Sequence, residues 1–351
     1  MFLRILNSNN IRKRLFGGLL LFVLSFIIYV NFNQNVKNCY FDITWKDGRT
    51  LRSVAENSRL ESVVNPKNIF FHETSCSLDG IVKMNSRQAC AVESAALMNP
   101  GHQVYVLFTS QVGFRNTTQL PIIDALLSYP NIHFNYLNLT QYAAHTPLAK
   151  WMKSQELFKS HYVNSHTSDI LRYLSLWKYS GTYLDLDVVV LKSFDSINTN
   201  FAGAESNNFV AAGIINLEND SGHKIADMCV KDLLKNFNGA DWGNNGPGVI
   251  TRVCQEICHT KNVSEMITMN NCENFHVLPI ESCYSIRWPE HIKFFKKEFL
   301  NETLQRLNHS IIAHVWNKHS AATPLNVNSN VAYINLAKRY CPKVVAVSEF
   351  F

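Results

Sequence analysis

Two carboxylates, Asp185 and Asp187, stand one residue apart in an otherwise apolar run, TYLDLDVVVL at 182–191. On an extended strand, a spacing of two puts both side chains on one face. Two like charges buried side by side repel and lose hydration, so the arrangement is costly unless a cation sits between them. A divalent ion with hard oxygen ligands, Mn²⁺ or Mg²⁺, meets that need and can in turn hold a diphosphate. Just upstream, Asp169 and Arg172 lie three residues apart, on one face of a helix. The plainer reading is that a chain of this length carries about one D-x-D by chance. Asp169 and Arg172 can equally form a surface pair worth under about 1 kcal/mol.

The elements that must position these groups lie within 168–194. Ser168 is a fitting N-cap, and Asp169 then falls in the first turn, where its charge suits the helix dipole. Ile170, Tyr173, Leu174 and Trp177 form one apolar stripe of helical period. Gly181 can take the left-handed conformation that ends a helix, and 182–191 has the composition of a buried strand. Upstream, short β-like runs at 68–71, 104–108 and 132–137 alternate with helical patterns at 87–99 and 122–127. That alternation predicts an α/β fold, a mostly parallel central sheet with flanking helices. Ligands of such sheets sit beyond the carboxyl ends of the strands, which puts the loop 72–75 in view. Downstream, a strand over 209–217 contains Gly213, a sign of close backbone approach or a bulge. A helix over 224–237, a glycine-rich loop over 239–248 that carries Trp242, and a helix over 249–258 follow. No G-x-G-x-x-G or G-x₄-G-K-S/T occurs, which argues against a dehydrogenase or P-loop enzyme and leaves a metal as the phosphate anchor.

The chain has 351 residues, 46% hydrophobic and 17% charged, with a net charge of +6. Arg4, Arg12, Lys13 and Arg14 supply much of that charge in a segment without acids, leaving about +2 elsewhere. No basic run interleaved with aromatics follows, so nucleic acid is not an expected partner. Residues 15–30 are uncharged and largely apolar, about 24 Å as a helix. The basic cluster before them predicts a cytosolic N-terminus, and the bulky stretch from Phe26 to Phe32 leaves no signal-peptidase site. The expected organisation is a cytoplasmic tail at 1–14, an uncleaved membrane anchor at 15–30, a stem at 31–66 and a lumenal domain at 67–351. The nine cysteines would then meet an oxidising compartment, with Cys39 a candidate for the odd one out. Cys254, Cys258, His259 and Cys272 have spacing that permits zinc, but disulfides suit that compartment better. Sequons at Asn116, Asn138, Asn219, Asn262, Asn301 and Asn308 are compatible with it and decide little.

The stretch Ser168-Asp169, Arg172-Tyr173, Gly181, Tyr183-Leu184-Asp185-Leu186-Asp187 resembles the signature of the α-1,4-glycosyltransferases that add galactose to lactosylceramide or N-acetylglucosamine to glycans. A second glycine usual before Gly181 is Ser180 here. The segments IFFHETS at 69–75, RQACAVESAALMNP at 87–100, WGNNGPGVITRV at 242–253 and HVWNKHS at 314–320 resemble the same family, in order, over about 66–340. The resemblance implies a GT-A-like nucleotide-sugar fold and transfer of a sugar from a UDP-sugar, with retention, to a glycolipid or other glycan acceptor. It implies Golgi residence as a single-pass membrane protein. Asp185 and Asp187 would be the catalytic metal-binding pair, Asp187 a direct ligand and Asp185 reaching the metal, the ribose or both. His314, preferred over His319, would be the third ligand. Glu73, Thr74, Asp169, Arg172 and Tyr183 would contact the donor, and Asp241, Trp242 and Asn245 the acceptor or a sugar. Asp241 and Glu205 are both possible nucleophiles, and neither stands out. A glycosidase is less consistent, because its two carboxyl groups stand about 5–9 Å apart rather than sharing one ion. A catalytically silent glycan-binding relative is the remaining alternative.

Overall fold

The computed structural model describes residues 40, 49–54, 67–115, 119–269 and 272–351. The expected tail, the anchor at 15–30, most of the stem and Cys39 lie outside these residues. Among the described residues, no helix is long and apolar enough to cross a membrane. In chain order the strands are β1 (Arg49–Thr50), β2 (Asn68–Glu73), β3 (Gln103–Phe108), β4 (Gly113–Phe114), β5 (Ile132–Tyr136) and β6 (Gly181–Leu184). They continue with β7 (Val188–Val190), β8 (Phe201–Ala204), β9 (Val210–Leu217), β10 (His276–Leu278) and β11 (Ile312–His314).

Seven strands form the central sheet in the order β10-β8-β9-β6-β2-β3-β5. All its pairings are parallel except the two made by β9. The expected mostly parallel α/β sheet is therefore present, and the period of two shows directly in its packing. Val104, Val106 and Phe108 of β3 enter one core, while Tyr105 and Leu107 enter the other. The first core lies under the Ser86–Met98 helix and the C-terminal Ala332–Tyr340 helix, with Cys90 and Cys341 joined by a disulfide. The second lies under the Val163–Tyr179, Asn219–Asn236 and Pro247–Ile257 helices.

Two local expectations are corrected. The helix begins at Val163 after Tyr162, so Ser168 is not its N-cap and Asp169 lies beyond its first turn. Its buried positions include not only Ile170, Tyr173 and Leu174 but also His166, Asp169, Arg172 and Ser175, so a polar seam runs through the packed helix. At its end, Ser180 takes positive φ together with Gly181. A side chain at Gly181 would fall on the carbonyl oxygen of Asn68 in β2, which demands glycine there. The second correction concerns 182–191, which is not one strand. β6 ends at Leu184, Asp185-Leu186-Asp187 form a turn, and β7 pairs antiparallel with β11. The Asp185 N–H donates to the Gly213 carbonyl at 2.9 Å, and the Val188 N–H to the Asp185 carbonyl at 3.2 Å. A flat strand would have left both acids within a sheet; the turn carries them to its edge. The cysteines follow the favoured disulfide reading and not the zinc alternative. Cys258 and Cys272 are joined to each other, while Cys254 is a free thiol, as are Cys229 and Cys283, all buried.

Candidate active site

Beyond the carboxyl ends of β2 and β6 lies a cleft of about 690 Å³, walled on its far side by the start of β9 and the 314–319 segment. The register of β11 against β7 sets His314 opposite Val188, and the Val315 N–H donates to the Asp187 carbonyl at 2.9 Å. Pairing of distant segments thus brings His314 to the two acids. One ligand atom from each of Asp185, Asp187 and His314 lies within 4.8 Å of the others. His314 Nε2 stands 3.6 Å from Asp185 Oδ2 and 3.3 Å from Asp187 Oδ1. The other oxygens are held from behind. The Tyr183 hydroxyl donates to Asp185 Oδ1 at 2.6 Å, and the Asn317 N–H donates to Asp187 Oδ2 at 2.8 Å.

One oxygen of each acid thus faces the imidazole while its partner is fixed. Two carboxylate oxygens and one imidazole nitrogen converging from one side suit a divalent cation and leave coordination positions for phosphate. The residues fit such an ion. The electrostatics agree with a site built for positive charge. Burial alone would lower His314, but the charges of Asp187 and Asp185 outweigh it and raise its pKa. Burial would raise Asp185, yet Arg172 and His314 hold it below the usual carboxylate range. Burial pushes Asp187 up, with His314 opposing and Asp185 adding to the rise.

Arg172 organises the floor of the cleft. Its Nη2 pairs with Asp169 Oδ1 at 2.8 Å, and its Nη1 lies 3.4 Å from Asp185 Oδ1 and donates to the Ala212 carbonyl at 2.7 Å. Its guanidinium stands 4.6 Å over the Tyr183 ring. The Ser168 hydroxyl, freed from any capping role, is within hydrogen-bond reach of the Tyr183 hydroxyl at 2.9 Å. Asp169 and Arg172 are not a surface pair; each side chain is only 7% exposed. Burial pushes the Asp169 carboxyl up to about 7 against the pull of Arg172, with Asp185 adding to the rise. A carboxyl whose folded pKa exceeds its unfolded one binds its proton more tightly when folded. Its contribution to stability is therefore largest below about pH 4 and falls as pH rises toward 7. Asp169→Asn is expected to flatten that slope, read as the difference between wild-type and variant urea midpoints at pH 5 and pH 7. An equal slope in both proteins would contradict the assignment.

The structure brings most of the sequence-chosen residues together and leaves two aside. Glu73, Thr74, Asp169, Arg172, Tyr183, Asp185, Asp187, Trp242 and His314 all line the cleft. Glu73 is buried and already engaged, its carboxylate accepting from the Ser75 N–H and from Gln88. Trp242 is 40% exposed, with Lys318 Nζ 3.3 Å from its ring centre. Asp241 and Asn245 are not on the cleft wall, against expectation. Asp241 Oδ1 accepts from the Gly243 N–H, and fully buried Asn245 exchanges hydrogen bonds with the Asn238 backbone. These side chains shape the loop that carries Trp242.

Sequence reasoning passed over Tyr284, Trp288 and Lys318, which also line the cleft. Only the HVWNKHS segment carried a signal, for Lys318. Gly213 was flagged for close approach, and the reason is now visible. A Cβ there would stand 3.0 Å from His314 Cδ2, 3.0 Å from the Tyr284 hydroxyl and 3.1 Å from Asp185 Oδ2. Gly213→Ala is expected to shift two metal ligands by a few tenths of an ångström and weaken Mn²⁺ binding about tenfold while the fold persists. Isothermal titration with Mn²⁺ checks this, and unchanged affinity would count against the ligand set.

Comparison with known proteins bears on what the site does. Residues 85–202 match the glycosyltransferase sugar-binding region containing the DXD motif, and residues 218–348 match the α-1,4-glycosyltransferase conserved region. The rat lactosylceramide 4-α-galactosyltransferase is 34% identical over 280 residues, 79% of this chain and 74% of that protein. The human protein of the same name is 32% identical over 278 residues, 79% and 76% of the two chains. The human α-1,4-N-acetylglucosaminyltransferase is 25% identical over 259 residues, 73% of this chain and 74% of that one. Among solved structures, the galactosyltransferase LgtC with donor and acceptor sugar analogues covers 80% of this chain and 96% of its own, at 13% identity and a TM-score of 0.37. Matched over most of its own length and most of its relatives', with both sequence patterns in order, the chain belongs to the α-1,4-glycosyltransferase family and is a glycosyltransferase.

Proposed function

We propose that the chain is a metal-dependent, retaining hexosyltransferase that moves galactose or N-acetylgalactosamine from a UDP-sugar, in α-1,4 linkage, onto a glycosphingolipid. The observation that carries this reading is the convergence of Asp185, Asp187 and His314 at the cleft. Asp185 Oδ2, Asp187 Oδ1 and His314 Nε2 would hold the ion, and an imidazole ligand favours Mn²⁺ over Mg²⁺. The bound ion supplies Lewis-acid charge against the diphosphate leaving group. The protein's own groups do the rest. Tyr183, Arg172 and the Asn317 N–H lock the ligating carboxylates before substrate arrives, so no reorganisation is needed during reaction. Glu73, Thr74, Asp169 and Arg172 line the donor side, and Trp242 and Trp288, both partly exposed, offer flat faces to sugars at the rim. Galactose is favoured because the relatives at 32–34% identity bear a galactosyltransferase name. The basic tail and apolar run over 1–30 support a type II Golgi membrane protein with this domain lumenal.

The test is to incubate the purified full chain with Mn²⁺ and a panel of UDP-sugars, following UDP release and then transfer to lactosylceramide. UDP-galactose or UDP-N-acetylgalactosamine is expected to turn over, giving an α-linked product. Turnover of UDP-N-acetylglucosamine alone moves the assignment to the second kind of relative. Binding of UDP without turnover of any sugar leaves a silent glycan-binding protein.

A further inference from the structure

The sequence leaves two carboxylates, Glu205 and Asp241, to meet the transferred sugar, and the structure separates them. Asp241 is exposed and caps its own loop. Glu205 lies on the cleft wall, directly after β8. Its N–H donates to the Phe209 carbonyl at 2.9 Å, closing the turn into β9 and fixing the backbone beneath it. Its half-buried carboxylate makes no hydrogen bond or ion pair among the described residues, and it faces the charges of His314 and Arg287 at longer range. A carboxylate that has lost part of its water without gaining a partner is costly to keep.

A second unpartnered group stands in the same part of the wall. Tyr284 is 1% exposed, and its hydroxyl has no hydrogen-bond partner among the described residues. Its ring fits against two neighbouring strands only because each has a glycine there. A Cβ on Gly203 of β8 would stand 2.9 Å from Tyr284 Cε2, and one on Gly213 of β9 would stand 3.0 Å from the hydroxyl. The same Gly213 position is 3.1 Å from Asp185 Oδ2, so the hydroxyl is delivered beside the metal-binding group. A fully buried hydroxyl without a partner is uncommon in folded proteins, and with a half-buried, unpartnered carboxylate in the same wall it marks a place for a polar ligand. One is an acceptor with negative charge and the other a neutral donor. A hexose presents hydroxyls to both, and its anomeric carbon becomes positively charged as the leaving group departs.

The geometry points to Glu205 as a catalytic carboxylate that faces the anomeric carbon of the transferred sugar, with the Tyr284 hydroxyl beside it donating a hydrogen bond to that sugar. This rests on the transferase reading above. The C1–O bond to the diphosphate breaks and its electron pair leaves with UDP, while the Glu205 charge supports the cationic carbon. The acceptor hydroxyl oxygen then bonds to C1, and its proton passes to the departed phosphate oxygen.

The experiment compares full-length wild type, Glu205→Gln, Glu205→Asp and Tyr284→Phe for donor kcat and KM, and for UDP affinity in Mn²⁺. Glu205→Gln is expected to lower kcat about 100-fold, with donor KM and UDP affinity within about threefold of wild type. Glu205→Asp restores part of the loss, and Tyr284→Phe lowers kcat about tenfold. The proposal is overturned if Glu205→Gln keeps more than about a third of kcat, or if UDP affinity falls in step with kcat. Should Glu205→Gln fail to fold, Glu205→Asp decides, because a carboxylate withdrawn by one methylene must lower kcat and spare KM. If wild type turns over no UDP-sugar, the transferase reading itself is wrong and this assignment goes with it.

Discussion

Asp187→Asn is expected to lower turnover by about three orders of magnitude while leaving the metal-free protein at least as stable as wild type. The two halves of that result have separate causes. Asparagine keeps the shape of the side chain, and its carbonyl oxygen can still accept from the Asn317 N–H, now 2.8 Å from Asp187 Oδ2. It removes the negative charge that faces His314 at 3.3 Å, and with it one of the three proposed metal ligands. Mn²⁺ binding and donor turnover should therefore collapse together. Stability follows the opposite sign. The Asp187 carboxyl is raised because burial disfavours its charge by more than His314 offsets, and Asp185 adds to the rise. Its ionisation therefore carries a net cost in folding free energy, and a neutral side chain is expected to relieve it. Donor turnover in Mn²⁺ and a urea titration in EDTA at pH 7 read both halves. Near-normal turnover would sink the metal assignment, and a large loss of stability would mean that the charge is structural.

Arg172 carries the largest expected effect on the fold. It pairs with Asp169 and lies beside Asp185, donates to the Ala212 carbonyl and covers the Tyr183 ring. Arg172→Ala strands two carboxylates without their common cation and empties the space above the ring. Removing one partner of a buried pair costs about 3–5 kcal/mol, far more than the pair's net worth, because the charge left behind is unsolvated. Arg172→Lys keeps the charge but cannot reach both acids and the carbonyl with one planar fork, so an intermediate loss of about 1–2 kcal/mol is expected. Urea denaturation at pH 7 measures both. Adding Asp169→Asn to Arg172→Ala should recover part of the loss, since one stranded charge is gone, and the double-mutant cycle gives the coupling. A loss below about 1 kcal/mol for Arg172→Ala would return Asp169 and Arg172 to the surface pair that their spacing alone permits.

What the sequence by itself determined was local in character. The alternation of strand and helix over the first half fixed the α/β sheet, because side-chain period is written in consecutive residues. Two like charges one residue apart called for a cation whether they lay on a strand or in a turn, and the run of motifs carried the family. Gly213 signalled a close approach before its neighbours were known. Tertiary structure decided the rest. Nothing within 182–191 says that a continuous apolar run breaks at its two acids. The break follows because β6 ends against β9 while β7 finds its partner in β11. That same pairing selects His314 over His319, which stacks on Trp288 at the rim. Spacing made Asp169 and Arg172 a possible surface pair, and only the packing of their helix against the sheet buried them. Asn245 and Asp241 looked available because their hydrogen-bond partners cannot be read from composition; folded, both are spent on the loop they belong to. Tyr284 went unmarked, and nothing chose Glu205 over Asp241, until two strands set Glu205 and Tyr284 around one cleft, because a polar group without a partner is a property of three-dimensional surroundings and leaves no mark on the chain.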